Sequence, residues 1–167
     1  MGTSLSLTGD IDDETHKFKT KTKEAMGKRF SEYWGKAINE DNERLIFYKS
    51  IKTELGFKPY LNISNFEDRK SIARLRSSTH PLHIEQGRHR NTPRESRFCQ
   101  LCPSKSVENE EHFLINCTFF NRYKPKYDLK NLTNAGELVK NTDPLVLGKY
   151  LTEAFSERKK YKEWFSL

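Results

Sequence analysis

This sequence predicts a mainly α fold, a small helical domain around an irregular metal-binding knuckle. Three observations carry that expectation. Apolar residues recur at helical spacing in several segments punctuated by Gly and Pro. Capping residues stand where those segments begin. All three cysteines fall with a histidine in one run, Cys99-x2-Cys102-x9-His112-x4-Cys117.

The elements follow in order. Residues 1–15 are small, polar and acidic and read as a disordered N-terminus. Residues 16–64 read as a helical lead-in. Its first helix carries Met26, Phe30, Tyr33, Trp34, Ala37 and Ile38 on one face, weakened by Gly27 and Gly35. Its second, within 42–55, places Leu45, Tyr48, Ile51 and Leu55 together and stops at Gly56. Residues 65–125 hold a basic helix and the knuckle. The basic helix runs from Asn65 to Ser78, with Ser64 and Glu67 at capping-box spacing. Ile72, Ala73 and Leu75 point inward, Arg69, Lys70, Arg74 and Arg76 mostly outward, and Pro81 forbids continuation. Residues 82–87 read as an extended or turn segment. A short helix at 119–123 must end before Pro125. Residues 126–167 read as C-terminal helices, with Asn134–Glu137 as a capping pair and Asp143–Pro144 as an N-cap and first-turn signal. Leu147, Leu151, Ala154, Phe155, Tyr161 and Phe165 line one face of the last helix.

Thiolates and a neutral imidazole are the ligands zinc prefers, and four of them close a tetrahedral shell. Such a shell keeps no position open for water, so Cys99, Cys102, His112 and Cys117 predict a structural Zn2+ site. The nine-residue gap is too long for a retroviral zinc knuckle. The alternatives are three buried cysteines with an ordinary histidine, or redox chemistry at Cys99-x2-Cys102, which lacks the βαβ context of a thioredoxin. A second metal at His80 and His83 has no further ligands nearby. His80 fits better as a hydrogen-bonded residue near a helix end.

The chain of 167 residues carries a formal net charge of +7. Its mean hydropathy of −0.88 leaves room for only a modest core. No apolar run reaches the roughly 20 residues of a membrane span, and no secretory signal precedes the first helix. An intracellular location, nucleus or cytoplasm, is expected, where clustered cysteines serve more often as metal ligands than as disulfides. Between residues 69 and 97, eight basic residues meet only Glu85 and Glu95. Arg74, Arg76, Arg88, Arg90, Arg94 and Arg97 are the candidates for phosphate contacts with RNA or DNA, since the guanidinium fork binds two oxygens. The competing reading is a solvated face with a few ion pairs. Phe98, Phe119, Phe120 and Tyr123 could stack on bases, but aromatics beside a small zinc site are more often its core.

Leu75, Arg76, Ser77 and His80, then Cys99, Cys102, Glu111, His112, Phe113, Leu114 and Cys117, resemble the zinc-binding segment near the C-terminus of non-LTR retrotransposon reverse transcriptases. The resemblance runs from about residue 44 to 123. It implies zinc on the four matching ligands and contact with template RNA or target DNA. Polymerase activity lies upstream in such polyproteins, and this chain has neither a YxDD-type motif nor room for a palm domain. Residues 118–167 lack the carboxylate pattern of a restriction-like nuclease. The expectation is therefore a non-enzymatic nucleic-acid-binding module, a fragment or an element-derived gene. The alternatives are a protein–protein adaptor, using Phe30, Trp34, Trp164 and Phe165, a metal-dependent nuclease fragment, or an inert element relic. The sequence leaves the oligomeric state open.

Overall fold

A computed structural model describes residues 8–40, 45–52, 54–129 and 133–164, and it is mainly α, with no strand among them. The chain divides into two compact units, Met1–Asn42 and Glu43–Leu167.

The first unit is one helix, α1 (Thr8–Asn39). α1 begins within the segment 1–15 that the sequence reads as disordered, and residues 1–7 lie outside the described set. Asp13 pairs with Lys17 one turn on at 2.5 Å, a spacing that supports a helix. Carboxylates near its start also suit the positive pole of the helix dipole. Of the predicted apolar face, Met26, Phe30 and Tyr33 are exposed, Trp34 and Ala37 half-buried and Ile38 buried, and Phe18 is exposed too.

The second unit holds α2 (Ile46–Ile51), α3 (Phe66–Arg76), α4 (His83–His89), α5 (Thr118–Asn121), α6 (Ala135–Asn141) and α7 (Pro144–Trp164). Short 3-10 turns lie at Pro59–Asn62, Arg94–Ser96 and Lys124–Tyr127, and a single π-helical turn at His112–Asn116. The boundaries expected after residues 64 and 125 are not boundaries: α2 packs on α3 and α6, and α7 packs on α3 and both flanking 3-10 turns. A helix of six residues buries only two apolar side chains, Phe47 and Ile51, and cannot stand apart from that core.

Three local differences have simple causes. The cap of α3 is Asn65, whose Oδ1 accepts the Asp68 amide at 3.1 Å, so Ser64 falls one residue outside. Residues 82–87 are helical because Pro81 and Leu82 start α4 while Leu82 and Ile84 bury themselves. Arg76 points inward, one turn beyond buried Ile72. The Asn134 and Asp143 caps stand as expected, the former on the Glu137 amide at 2.8 Å and the latter on the Leu145 amide at 2.9 Å.

The core lies between α3 and α7. Leu75, Leu82, Phe113, Leu114, Phe120, Leu138, Leu151 and Ala154 are fully buried. Gly148 lets the two helices touch, since a Cβ there would stand 2.9 Å from the Asp68 Cβ. Leu147, Leu151, Ala154 and Phe155 face inward on α7 as their spacing requires, whereas Phe165 lies outside the described residues.

Candidate metal centre and basic surface

The metal knuckle begins with a hairpin. Phe98 and Val107 form an isolated antiparallel bridge. The Cys99 amide donates to the Ser106 carbonyl and the Glu108 amide to the Arg97 carbonyl, both at 2.8 Å. Lys105 takes the left-handed conformation that turns the polar loop. Cys99 and Cys102 are thus presented from one tight turn.

The other two ligands come from the π turn. Residues five apart on an α-helix point about 140° away from each other, which would keep His112 and Cys117 off a common ion. Here the Cys117 amide reaches the His112 carbonyl at 2.7 Å, an i to i+5 bond that widens the turn by one residue. That widening brings the pair onto one side. Its entrance is held by Asn109, whose Oδ1 accepts the His112 amide at 2.8 Å. Its apolar residues, Phe113 and Leu114, are driven into the core, where Phe113 stacks on Phe155 with centroids 5.4 Å apart.

One ligand atom from each of Cys99, Cys102, His112 and Cys117 lies within 4.8 Å of the others. Four bonds of about 2.0–2.3 Å in a tetrahedron put ligand atoms about 3.3–3.8 Å apart. The Cys99 and Cys117 sulfurs are 3.8 Å apart, and Cys102 Sγ lies 3.3 Å from His112 Nε2. All three cysteines are free thiols, and 3.8 Å is far beyond the roughly 2 Å of a disulfide. The four residues lie close enough to hold a metal ion.

The four ligand groups perturb one another's protonation. The hydrogen bond to Cys117 pushes the Cys99 thiol up to about 12, with burial adding to it. The same bond lowers the Cys117 thiol, helped by the Phe119 and Phe120 amides at the start of α5 and opposed by burial. His112 is raised, first by its hydrogen bond to Cys99. Metal ligation requires deprotonated thiols, so a bound cation competes with protons at these groups.

Two polar networks anchor the knuckle, and neither was directly legible in the sequence. Glu108 is fully buried and receives Arg158 of α7 through Nε at 2.6 Å and Nη2 at 2.9 Å. Its Oε2 also accepts the His83 amide at 2.7 Å, tying α4 to the same carboxylate. The available signal was spacing: Arg158 follows buried Ala154 by four residues. In the second network, Glu110 accepts from His80 at 2.9 Å and from the Ser78 hydroxyl at 3.1 Å. Burial works against the Glu110 carboxylate, yet these bonds hold it below its usual range. His80 therefore has the structural role expected of it, and His83 Nδ1 lies 2.8 Å from the Phe98 carbonyl. No second metal-holding group occurs among the described residues.

The six candidate arginines do not form one surface. Arg97 is buried and donates to the carbonyls of Thr92 and Ile84, both at 2.9 Å. Gly87 makes room for it, because a Cβ there would lie 2.6 Å from Arg97 Cγ. Arg76 is buried too, over the Tyr60 ring at 5.4 Å. Arg76 and Arg97 are therefore drawn inward and do not belong to an exposed phosphate-tracking face. Arg88 is half-buried and paired with Glu85. Arg74 and Arg94 are half-buried and Arg90 is exposed, and none of the three meets a carboxylate among the described residues. Of the aromatics, Phe119 and Phe120 are core, Tyr123 is half-buried, and Phe98 is exposed. No described helix is long and apolar enough to cross a membrane. No family model, curated protein or solved structure matches the chain.

Proposed function

We propose that the chain is a zinc-stabilised module that binds RNA or DNA without catalysis and works in a reducing compartment. The observation that carries the proposal is the Cys3His cluster, with four ligand atoms within 4.8 Å of one another. Thiolate-rich, four-ligand shells select zinc and leave it no catalytic position. Arg74, Arg90 and Arg94 supply positive charge that no carboxylate among the described residues neutralises. Exposed Phe98 beside Cys99 offers one ring for a base. This reading places the chain with the zinc-binding segments of retrotransposon reverse transcriptases, apart from any polymerase.

Elemental analysis should find about one zinc per chain. Binding to RNA and DNA should weaken with salt at a log–log slope of about −3, the release expected from three or four phosphate contacts. Replacing Arg90 and Arg94 together should flatten that slope by about two. Absence of binding at about 50 mM salt, or a slope near zero, would sink the nucleic-acid reading and leave the zinc reading intact.

One observation favours a second reading, a protein–protein adaptor. α1 leaves Phe18, Met26, Phe30 and Tyr33 exposed along its length, and Trp34 half-buried. Trp164 and Phe165, the other residues of that reading, have no described side chains. Sedimentation of the purified chain tests whether this face draws two copies together.

A further inference from the structure

We infer that the cleft between α2, α3, α6 and the start of α7 is a receptor for a small organic phosphate. The inference stands on three buried arginines and how differently they are satisfied. Arg158 has the Glu108 carboxylate, and Arg97 has two backbone carbonyls. Arg76 is as buried as Arg97, yet its Nη2 is enclosed and without a partner, and no other Arg76 nitrogen has a hydrogen bond among the described residues. A guanidinium withdrawn from water without an anion is costly, and the Tyr60 ring offsets only part of that cost.

The surroundings of Arg76 supply what an anion needs and omit what would replace it. Arg76 lines a cleft of ≈ 330 Å³ together with Lys58, Lys140 and the Thr142 side chain. No carboxylate lines it among the described residues. Asp143, the nearest acid in sequence, spends its Oδ1 on the amides of Leu145 and Val146 at the start of α7. Three basic residues thus border one small space, with no carboxylate among its described lining residues.

The rest of the wall is apolar: Ile51, Ile72, Val139 and Leu147, with Tyr60 and Pro144 at the side. A bare inorganic ion would leave that wall against water. A phosphate on a flat or apolar body satisfies both halves, with the guanidinium fork on two oxygens and the body against Ile72 and Leu147. The volume lies at the small end of ligand pockets, which limits the occupant to about one mononucleotide. The same group is offered by a free nucleotide and by the phosphorylated end of a nucleic-acid strand.

The test is calorimetric titration of the full chain, zinc-loaded, at low salt. Adenosine 5′-monophosphate, adenosine, inorganic phosphate, and one oligonucleotide with and without a 5′-phosphate are the probes. The expected result is that the monophosphate binds at least tenfold tighter than either adenosine or phosphate. Arg76→Met, which keeps the apolar stem, should abolish that advantage, and Lys140→Glu at the exposed rim should reduce it several-fold. If Arg76→Met does not fold, the adenosine comparison and Lys140→Glu decide. Equal affinity for nucleoside and monophosphate, binding of neither, or wild-type affinity in both variants overturns the inference. A preference for the 5′-phosphorylated oligonucleotide over free nucleotide assigns the cleft to strand ends. Oligonucleotide binding indifferent to the 5′-phosphate, with no mononucleotide binding, overturns the cleft and leaves the surface reading standing. Mononucleotide binding without salt-dependent nucleic-acid binding does the reverse.

Discussion

The α3–α7 core and the hairpin of the metal knuckle belong to one compact unit but are held by different forces. Between α3 and α7 the buried groups are mostly apolar, Ile72, Leu75, Leu147 and Leu151, with one polar contact of Thr152 to Asp68 and Ser71, and Gly148 lets the backbones approach. Apolar burial and close packing account for that half. From residue 97 to 112 the buried groups are Arg97, Glu108, Glu110 and His112, with Cys99 the one buried apolar side chain. There the fold depends on directional bonds, each of which fails if its partner is removed. A segment so poor in apolar area needs an added cross-link, and the four-ligand cluster provides one. Residues 113 and 114 join the two regimes: Phe113 and Leu114 belong to the core, while their neighbour His112 belongs to the cluster.

The largest expected effect breaks this comparison at the metal. Structural zinc contributes on the order of 10–16 kcal/mol of apparent binding energy, much of it folding energy. A chelator, or Cys102→Ser, should remove the zinc and collapse amide protection at Cys99, Glu108 and Cys117. Leu151 and Ala154 on α7 should stay protected longer. Hydrogen exchange followed residue by residue reads this directly. Loss of protection everywhere at once would mean the two regions are one cooperative unit. No loss anywhere would remove the metal from the account.

Next in size is the ion pair that ties the knuckle to α7. Glu108→Ala leaves Arg158 buried without a partner and also deprives the His83 amide of its acceptor. Breaking a buried pair on one side costs about 3–5 kcal/mol. Chemical denaturation of the zinc-loaded protein should show that loss. Replacing both partners, as Glu108→Leu with Arg158→Met, should recover most of it, because two apolar groups need no bond. If the double variant is no better than Glu108→Ala, packing around the pair matters more than its charge.

The sequence was most legible where one physical rule acted alone. Metal chemistry gave the four ligands, and helical periodicity gave the α7 face from Leu147 to Phe155. Where two rules competed, the simpler one misled. Arg76 and Arg158 look like surface cations by type, but each stands four residues after a buried apolar residue, Ile72 and Ala154, and follows it inward. Arg97 needed Gly87, ten residues earlier, to reveal that the chain makes room for it. Cys117 looked one residue out of register with His112. A π turn absorbs that residue, and no propensity scale marks such a turn in advance.

Packing in the α3–α7 core gives a smaller effect. Gly148→Ala would set a methyl 2.9 Å from the Asp68 Cβ and 3.3 Å from its backbone oxygen. Neither atom is the far end of a flexible side chain, so one helix must shift. Overpacking of this kind costs about 1–3 kcal/mol, set against a helix-propensity gain of about 1 kcal/mol. A net loss in thermal unfolding is expected, with zinc content unchanged. Equal or greater stability would show that α3 and α7 can slide apart without penalty.

The same substitution on α1 should have the opposite sign and the smallest size. A Cβ at Gly27 would meet nothing within 4 Å, and the helix there is exposed on every side. Only the backbone term remains, so Gly27→Ala should favour α1 by about 0.8–1.0 kcal/mol. Slower exchange of the amides around Lys28 and Arg29 would register it, with Leu151 unaffected because it lies in the other compact unit. The pair of substitutions isolates packing from propensity, since the change in chemistry is identical and only the neighbours differ. Destabilisation at Gly27 would mean that something in solution covers the face that α1 leaves open, and the adaptor reading would gain the contact it now lacks.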